Sequence, residues 1–447
     1  MRNIKWIFCL FLLVVAGFWI GFHPDFWAQD NIILLRNQFL QLTGLIAISS
    51  MSLILVLATR PKWLEPWLGG LDKTYRLHKW LGITALVMAV THWLWIEAPK
   101  WARDLGLIEI SRPPRPSREG MGALQQFLMS QKHLAEGIGE WSFYAAVALM
   151  VVALVKLVPY RWFVKTHKLI AIAYLALVFH AAVLFNFDDW VTPSGMILGV
   201  LLLAGAYSAV LVLTNRVGRR STITATLEKI ETFPTMQSVE VTVNVGQQWP
   251  GHRAGQFAFV TFDDKEGAHP FTIASAWNPS DGRLKILIKA LGDYTSTLHS
   301  RLKPGSTARV EGPYGGFTFD DADARQVWIG GGIGITPFLA RLKDLAQLPA
   351  GAARRNIDLY HAVPVEDEKL SLRLKDLAYR AGINLHIIVD SRDGFLTGEQ
   401  VRNDVADWKS ASFWFCGPRD FGTALSRDLT GNGLPDTRFH QELFEFR

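Results

Sequence analysis

Cysteine is almost missing: Cys9 and Cys416 are the only two in 447 residues, and they sit in chemically different halves of the chain. A disulfide framework, a structural zinc site and a cysteine-ligated iron–sulfur cluster are thereby excluded. Charge is also scarce. Asp, Glu, Lys and Arg make up 19% of the sequence with no block of one sign, and a net charge of +6 is too modest for a nucleic-acid partner. Little charge together with 49% apolar residues rules out disorder. A single globular rhythm is lacking as well: residues 1–216 hold long, nearly charge-free runs, while residues 217–447 read as water-soluble chain. The length is near three times a usual ~150-residue domain, which points to several units.

Six apolar stretches are long enough to cross a hydrocarbon core of ~30 Å. They lie at about Ile4–Phe22, Phe39–Ala58, Leu81–Ala98, Ile138–Val158, Leu169–Phe187 and Met196–Thr214. Arg2 and Lys5, then Arg60, Lys62, Lys73, Arg76 and Lys79, then Lys156, Arg161, Lys165 and Lys168, then Arg216, Arg219 and Arg220 share one side. Asp25, Asp30, Asp188 and Asp189 fall on the other. The positive-inside bias puts both termini and the soluble half in the cytoplasm, on an inner (cell) membrane. No small-x-small cleavage site follows the first span, so it is expected to be retained. The outer segment Pro99–Glu136 carries Arg112, Arg115 and Arg118. It is either a solvated loop or a cap that attracts anions.

Ionisable residues inside spans are functional candidates by default. His78 and His92 bracket the third span 14 residues apart, and His167 and His180 bracket the fifth 13 apart. At 1.5 Å per residue each pair is spread by ~20 Å, which suits two stacked haems. Both helices run from inside to outside, so His78 should pair with His167 at the inner level and His92 with His180 at the outer. Two imidazoles per iron leave no open position and favour electron transfer. The competing reading is four histidines bonded to neighbouring helices. Thirteen residues also leave His180 about 140° from His167, so either the fifth helix is overwound or the two haems lean on different sides of it. Tyr174 falls midway along that span. Arg36 is a candidate partner for an outer haem propionate, or an interface anchor. No role is assigned to His23 or His133.

After Arg220 the pattern shortens to six alternating runs, Ser221–Ile230, Gln237–Val245, Gln256–Phe262, Phe271–Ala276, Leu284–Ala290 and Thr307–Glu311. These predict an antiparallel β-barrel. From Gln326 the rhythm becomes strand–helix–strand: Val327–Ile329, a glycine run Gly330–Thr336 with Pro337 opening a helix to about Leu348, then strands at Ile357–Val363, Leu385–Asp390 and Ser412–Cys416. That predicts a parallel, Rossmann-like α/β nucleotide-binding domain. Glycines let backbone N–H groups approach a pyrophosphate, and the following helix adds a favourable dipole.

The motifs then line up. His269-Pro270-Phe271-Thr272-Ile273-Ala274-Ser275, Ile288-Lys289-Ala290-Leu291-Gly292-Asp293-Tyr294-Thr295, Gly312-Pro313-Tyr314-Gly315, Gly330–Phe338, Phe415-Cys416-Gly417-Pro418 and His440-Gln441-Glu442-Leu443-Phe444 follow in this order. Their order, with the four histidines, resembles the ferric reductase and NADPH oxidase superfamily over nearly the whole chain. The resemblance implies a six-helix haem domain over 1–216, an FAD-binding β-barrel over 217–320 and an NAD(P)H-binding α/β domain over 321–447. It implies that Phe271 packs on the flavin ring and Thr272 lies near its reactive N5, with Pro270, Ser275, Ile288, Lys289, Gly312 and Gly315 on the same FAD surface. His269 and Gly292–Thr295 would hold FAD phosphates. Gly330, Gly331, Gly332, Gly334 and Thr336 would hold the NADPH pyrophosphate, and Cys416, Gly417, Pro418, Glu442 and Phe444 would surround the nicotinamide. Cys416 is not expected to act as a nucleophile.

The chain departs from parts of that family. No EF-hand loop precedes the first span, so calcium gating is not indicated. Tyr360-His361-Ala362 lacks the arginine that some family oxidases use for the NADPH 2′-phosphate. Ser391 and Arg392 could supply that recognition, or could be a surface turn, so NADPH is favoured with NADH not excluded. The expected reaction carries electrons from NAD(P)H through FAD and two b-type haems to an outer acceptor. Ferric chelates are the first choice and dioxygen the second, with a quinone or periplasmic protein third. A non-catalytic haem-binding membrane sensor or cytochrome is the reading from another class.

Overall fold

Six helices carry the apolar runs: α1 (Arg2–Phe22), α2 (Ile32–Ala58), α3 (Leu71–Asp104), α4 (Lys132–Leu154), α5 (Tyr160–Leu184) and α6 (Pro193–Leu213). In this computed structural model residues 2–27, 32–107, 120–155, 158–349 and 355–442 are described. The expected features at Asp30, Arg112, Arg115, Arg118, Lys156 and Phe444 lie outside them. The chain divides into two compact units, Met1–Leu68 with Lys73–Val217, and Gly69–Asp72 with the chain from Gly218 onward.

Each of the six helices holds a window of mean hydropathy between 1.4 and 2.5. Their outward faces are apolar too, with Val200 68%, Leu203 76% and Ile172 54% exposed. Helices apolar all round suit hydrocarbon rather than water. Exposed Trp6, Trp63, Trp67, Trp101 and Trp162 fall near helix ends, where indoles favour the headgroup layer. The protein is therefore an integral membrane protein. α3 starts ten residues before the expected Leu81, because Asp72, Lys73, Arg76 and Lys79 continue the helix through two polar turns. At 1.5 Å per residue it is ~51 Å long, well beyond the apolar layer. α6 begins with Thr192, whose hydroxyl accepts Gly195 N–H, and Pro193 follows in the first turn. Trp19, Ala85, Tyr174 and Leu202 form the core between helices.

The second unit opens with strands β1 (Thr222–Phe233), β2 (Ser238–Asn244), β3 (Phe257–Thr261), β4 (His269–Thr272), β5 (Arg283–Lys289) and β6 (Thr307–Tyr314). They make one antiparallel sheet in the order β4-β3-β6-β1-β2-β5. The expected barrel is not closed by a ladder: its two edge strands meet only at the Ile273–Ile286 bridge. β4 has four residues and includes Pro270, which an edge strand tolerates because one side needs no N–H. That strand starts at His269 rather than the expected Phe271.

A five-stranded parallel sheet follows, built from β7 (Arg325–Gly331), β8 (Asn356–Val363), β9 (Asn384–Val389), β10 (Ser412–Cys416) and β11 (Phe439–Gln441) in the order β11-β10-β7-β8-β9. Every residue of β10 is buried, as expected for a strand covered on both faces. The helices α7 (Asp293–Arg301), α8 (Thr336–Leu345), α9 (Glu368–Ala381) and α10 (Arg419–Gly431) complete the elements used below. β11 was not anticipated; three residues are too short for a period-2 signal.

Candidate functional site

The four span histidines come together in two pairs. The rings of His78 and His167 lie 6.0 Å apart between centroids, and those of His92 and His180 lie 6.4 Å apart. One metal ion held between two imidazole nitrogens at ~2.0–2.1 Å, with about 1.1 Å from each nitrogen to its ring centre, would need ring centres up to ~6.3 Å apart. The donor nitrogens are also set. Nδ1–H of His78 donates to Ile54 O at 3.2 Å, that of His92 to Leu40 O at 3.0 Å, and that of His180 to Ala135 O at 2.8 Å. These bonds leave Nε2 of each ring as the lone-pair nitrogen, the arrangement that orients a metal-binding imidazole. His167 instead stacks on Phe163, with ring centres 5.1 Å apart. The donor set fits a two-imidazole haem iron at each level.

Glycine makes room for two of these rings. A Cβ on Gly139 would overlap the His180 ring, and one on Gly44 would come 3.2 Å from His92. α5 is α-helical throughout, so no overwound turn reconciles the 13-residue spacing. His180 instead bonds α4, while both α3 histidines bond α2. Tyr174 donates or accepts at Ser52 Oγ, 2.8 Å away, and abuts Gly205. It ties α5 to α2 and α6. Arg36 donates Nε–H to Trp95 O at 2.9 Å, joining α2 to α3.

In the second unit β4 brings Phe271 opposite Ala258 and Thr272 opposite Phe257, both side chains buried. His269 stacks on Tyr294 with ring centres 4.7 Å apart, so the two expected phosphate-binding segments are neighbours. Thr295 Oγ1 accepts the N–H groups of Leu291 and Gly292 at 3.0 and 3.1 Å, capping α7. Ser275 Oγ accepts Lys285 N–H at 3.1 Å. Ile288 is buried in β5, and Lys289 reaches out of that strand toward the glycine loop, its Nζ 3.9 Å from where a Gly332 Cβ would stand. Gly312 and Gly315 have φ of 152° and 107°, and a Cβ on Gly315 would meet Phe257 at 3.1 Å.

The glycine run leaves β7 and enters a 3₁₀ turn, Gly332–Ile335, before α8. Gly332 has φ 56°, a left-handed conformation that favours glycine. A Cβ on Gly334 would overlap Cys416 O, and one on Gly331 would come 2.8 Å from Pro418. Gly330 pairs with Cys416 in register, and a Cβ on Gly417 would lie 3.0 Å from Gly331. β7 is flanked by β8 on one side and β10 on the other, so this crevice is the topological switch point at the strands' carboxyl ends. Thr336 is buried and donates its hydroxyl to Ile333 O at 2.7 Å. Burial raises the Cys416 thiol well above its ordinary value, and the Glu442 carboxylate adds to the effect. A thiol held protonated is no nucleophile.

Two family models match the chain: a ferric reductase-like transmembrane component over residues 43–178 and an FAD-binding domain over residues 224–318. The chain has the ferric reductase/NADPH oxidase-type architecture. It is 30% identical over 130 residues to ferric reduction oxidase 8, mitochondrial, of Arabidopsis thaliana, covering 27% of this chain and 18% of that protein. It is 26% identical over 165 residues to a flavohemoprotein of Oceanobacillus iheyensis, covering 34% of this chain and 40% of that one. The chain thus spans less than half the length of either relative. The flavohem-like FAD/NAD-binding domain of nitric oxide dioxygenase from Vibrio cholerae O1 biovar El Tor is similar at TM-score 0.43 and 18% identity, over 50% of this chain and 98% of that one.

Within this ferric reductase-like chain, the match over 43–178 takes in His78, His92 and His167 but stops before His180. Sequence reasoning missed a set of ionisable groups that tie elements of the second unit together. His361 Nε2–H donates to Gly332 O at 3.2 Å, and burial pushes its pKa down to about 4, so it supports the loop as a neutral ring. Lys343, on α8, donates to Ala274 O of the flavin strand segment at 2.6 Å. Burial lowers its pKa to about 7 against the pull of Glu240. Arg373 on α9 meets Glu240 on β2 at 3.0 Å, and Lys369 meets Glu231 on β1 at 2.8 Å. These cations carry no motif spacing, because their partners come from distant strands. Ser391 and Arg392 stand in a short helix after β9, and Arg392 pairs with Asp393 and Glu366.

Proposed function

We propose that the protein is a transmembrane oxidoreductase that passes electrons from cytoplasmic NAD(P)H through FAD and two bis-histidine b-type haems to ferric chelates on the outer face. The observation that carries the reading is the matched pairing of His78 with His167 and His92 with His180 at a separation an iron would span. The family model described as ferric reductase-like and the relative named ferric reduction oxidase support ferric iron as the acceptor.

The chain's own residues supply position and electrostatics. The backbone carbonyls of Ile54, Leu40 and Ala135 each take the Nδ1–H of one imidazole, which leaves Nε2 as the nitrogen that would hold an iron. Phe271 and Thr272 present an apolar face and a hydroxyl on β4 for the flavin. The backbone of Gly330–Gly334 and the Lys289 ammonium form a cradle for the dinucleotide's pyrophosphate. Gly417 and the buried thiol of Cys416 give the nicotinamide a close, uncharged floor. When bound, the flavin takes a hydride and the haem irons take single electrons, which makes the flavin the two-to-one converter.

The test is anaerobic addition of NADH or NADPH to the flavin- and haem-loaded protein, followed by separate addition of ferric citrate and of dioxygen. Fast haem reoxidation by ferric citrate supports the reading. Flavin that fails to bleach with either nucleotide overturns it in favour of a non-catalytic cytochrome.

A further inference from the structure

In a doubly wound sheet, the second strand of the nucleotide-binding unit ends beside the adenosine ribose. A carboxylate there accepts hydrogen bonds from the ribose hydroxyls, whereas a nearby arginine takes a 2′-phosphate. β8 is that strand: it follows the glycine loop and α8, and it pairs with β7. The turn beyond its carboxyl end carries Glu366, and the neighbouring β9 ends in Asp390–Asp393, which holds Arg392. From sequence, Arg392 is the candidate for a 2′-phosphate.

Its guanidinium is already engaged. Nε and NH2 of Arg392 donate to the two oxygens of Asp393 at 3.0 and 2.9 Å, and NH1 donates to Glu366 Oε2 at 3.3 Å. Asp393 is anchored in turn by Val389 N–H at 2.9 Å. One cation thus stands between two carboxylates, forked on Asp393 and singly bonded to Glu366. Lys375, from α9, lines the same groove with Tyr379 and Ile387 and is the other cation there. A doubly charged 2′-phosphate would have to displace a carboxylate from Arg392 and then sit beside both. A ribose diol offers hydroxyl donors to Glu366 without that conflict.

We propose that the crevice selects NADH over NADPH, with Glu366 as the ribose-binding residue and Arg392 as a positioning residue that holds the two carboxylates in place. This deepens the nucleotide reading above and rests on it. The test is calorimetric titration of the full-length, FAD-loaded oxidised protein in detergent with NAD⁺ and with NADP⁺, a readout free of turnover. NAD⁺ should bind about tenfold tighter, or more. Glu366→Gln should narrow that ratio by about tenfold, while Glu366→Asp keeps it, and unchanged FAD content reports that both variants are folded. Arg392→Gln should not weaken NADP⁺ by more than about twofold.

Equal or tighter binding of NADP⁺ by the unaltered chain would overturn the selectivity while leaving the nucleotide reading intact. So would a roughly tenfold loss of NADP⁺ alone on Arg392→Gln or Lys375→Gln, since either cation would then be holding a phosphate. Failure of both nucleotides to bind at about millimolar concentration would bring down the nucleotide reading itself.

Discussion

Replacing Gly139 by alanine should remove one haem and leave the other. The added Cβ would overlap Nδ1 and Cε1 of His180 and come 2.7 Å from its Cγ, against a normal contact of about 3.5 Å. The ring must therefore retreat by about 1 Å or more. That retreat breaks the 2.8 Å bond from its Nδ1–H to Ala135 O and spoils the 6.4 Å spacing to His92. Loss of such an orienting partner alone typically costs 10–100-fold in metal affinity, roughly 1.4–2.7 kcal/mol. The fold should survive, because overpacking costs about 1–3 kcal/mol and alanine returns ~1 kcal/mol of helix propensity over glycine. The pyridine haemochrome assay, normalised to FAD, should fall from two haems per flavin to about one, with nucleotide-driven flavin bleaching unchanged. Gly137→Ala on the same helix is the control, since a Cβ there meets nothing within 4 Å. Two haems per flavin in Gly139→Ala, with an unaltered low-spin spectrum, would refute the placement of His180 as a ligand.

Lys289→Met should weaken dinucleotide binding several-fold, about 1 kcal/mol, without loss of FAD, because it removes the cation beside Gly332; titration with NAD⁺ checks this. Lys343 has a folded pKa of about 7, below its unfolded value, so the unfolded chain binds the extra proton between about pH 7 and 10 and stability should rise with pH there. Lys343→Met should flatten that rise in urea unfolding of the second unit's signal. Asp321 is pushed up by burial but held lower still by hydrogen bonds from Ser412, Gln326 and Trp414 and by Arg355, so its pKa lies below the ordinary value. Its contribution should be intact at neutral pH and disappear as pH falls below about 4. Asp321→Ala should cost about 2–4 kcal/mol in the same unfolding measurement, by orphaning several buried donors.

How much of this was legible follows the physics of each signal. Six spans could be read because a bilayer demands ~20 apolar residues in a row. The start of α3 could not, since Asp72, Lys73, Arg76 and Lys79 read as loop by hydropathy and become helix by propagation from the span behind them. The histidine pairs were readable from depth along two parallel helices. Gly139 was invisible, because only the approach of α5 to α4 makes one glycine matter and Gly137 not. Gly334 sat in a run that announced itself, yet its specific constraint is the Cys416 carbonyl, eighty-two residues away. The open edge of the β-sheet depends on where β4 stops, which four residues of strand propensity do not set. Arg392 was legible as a residue but its partner Glu366 was not, because the reach of Glu366 across two strand ends is a tertiary fact.

Three of the four span imidazoles are committed to one tautomer by main-chain carbonyls on a neighbouring helix. Turning any one of these rings over would break the bond that joins its helix to the next, so the choice of ring nitrogen and the packing of that helix are one constraint rather than two. A slip of either helix by a single turn would release the carbonyl and the ring together.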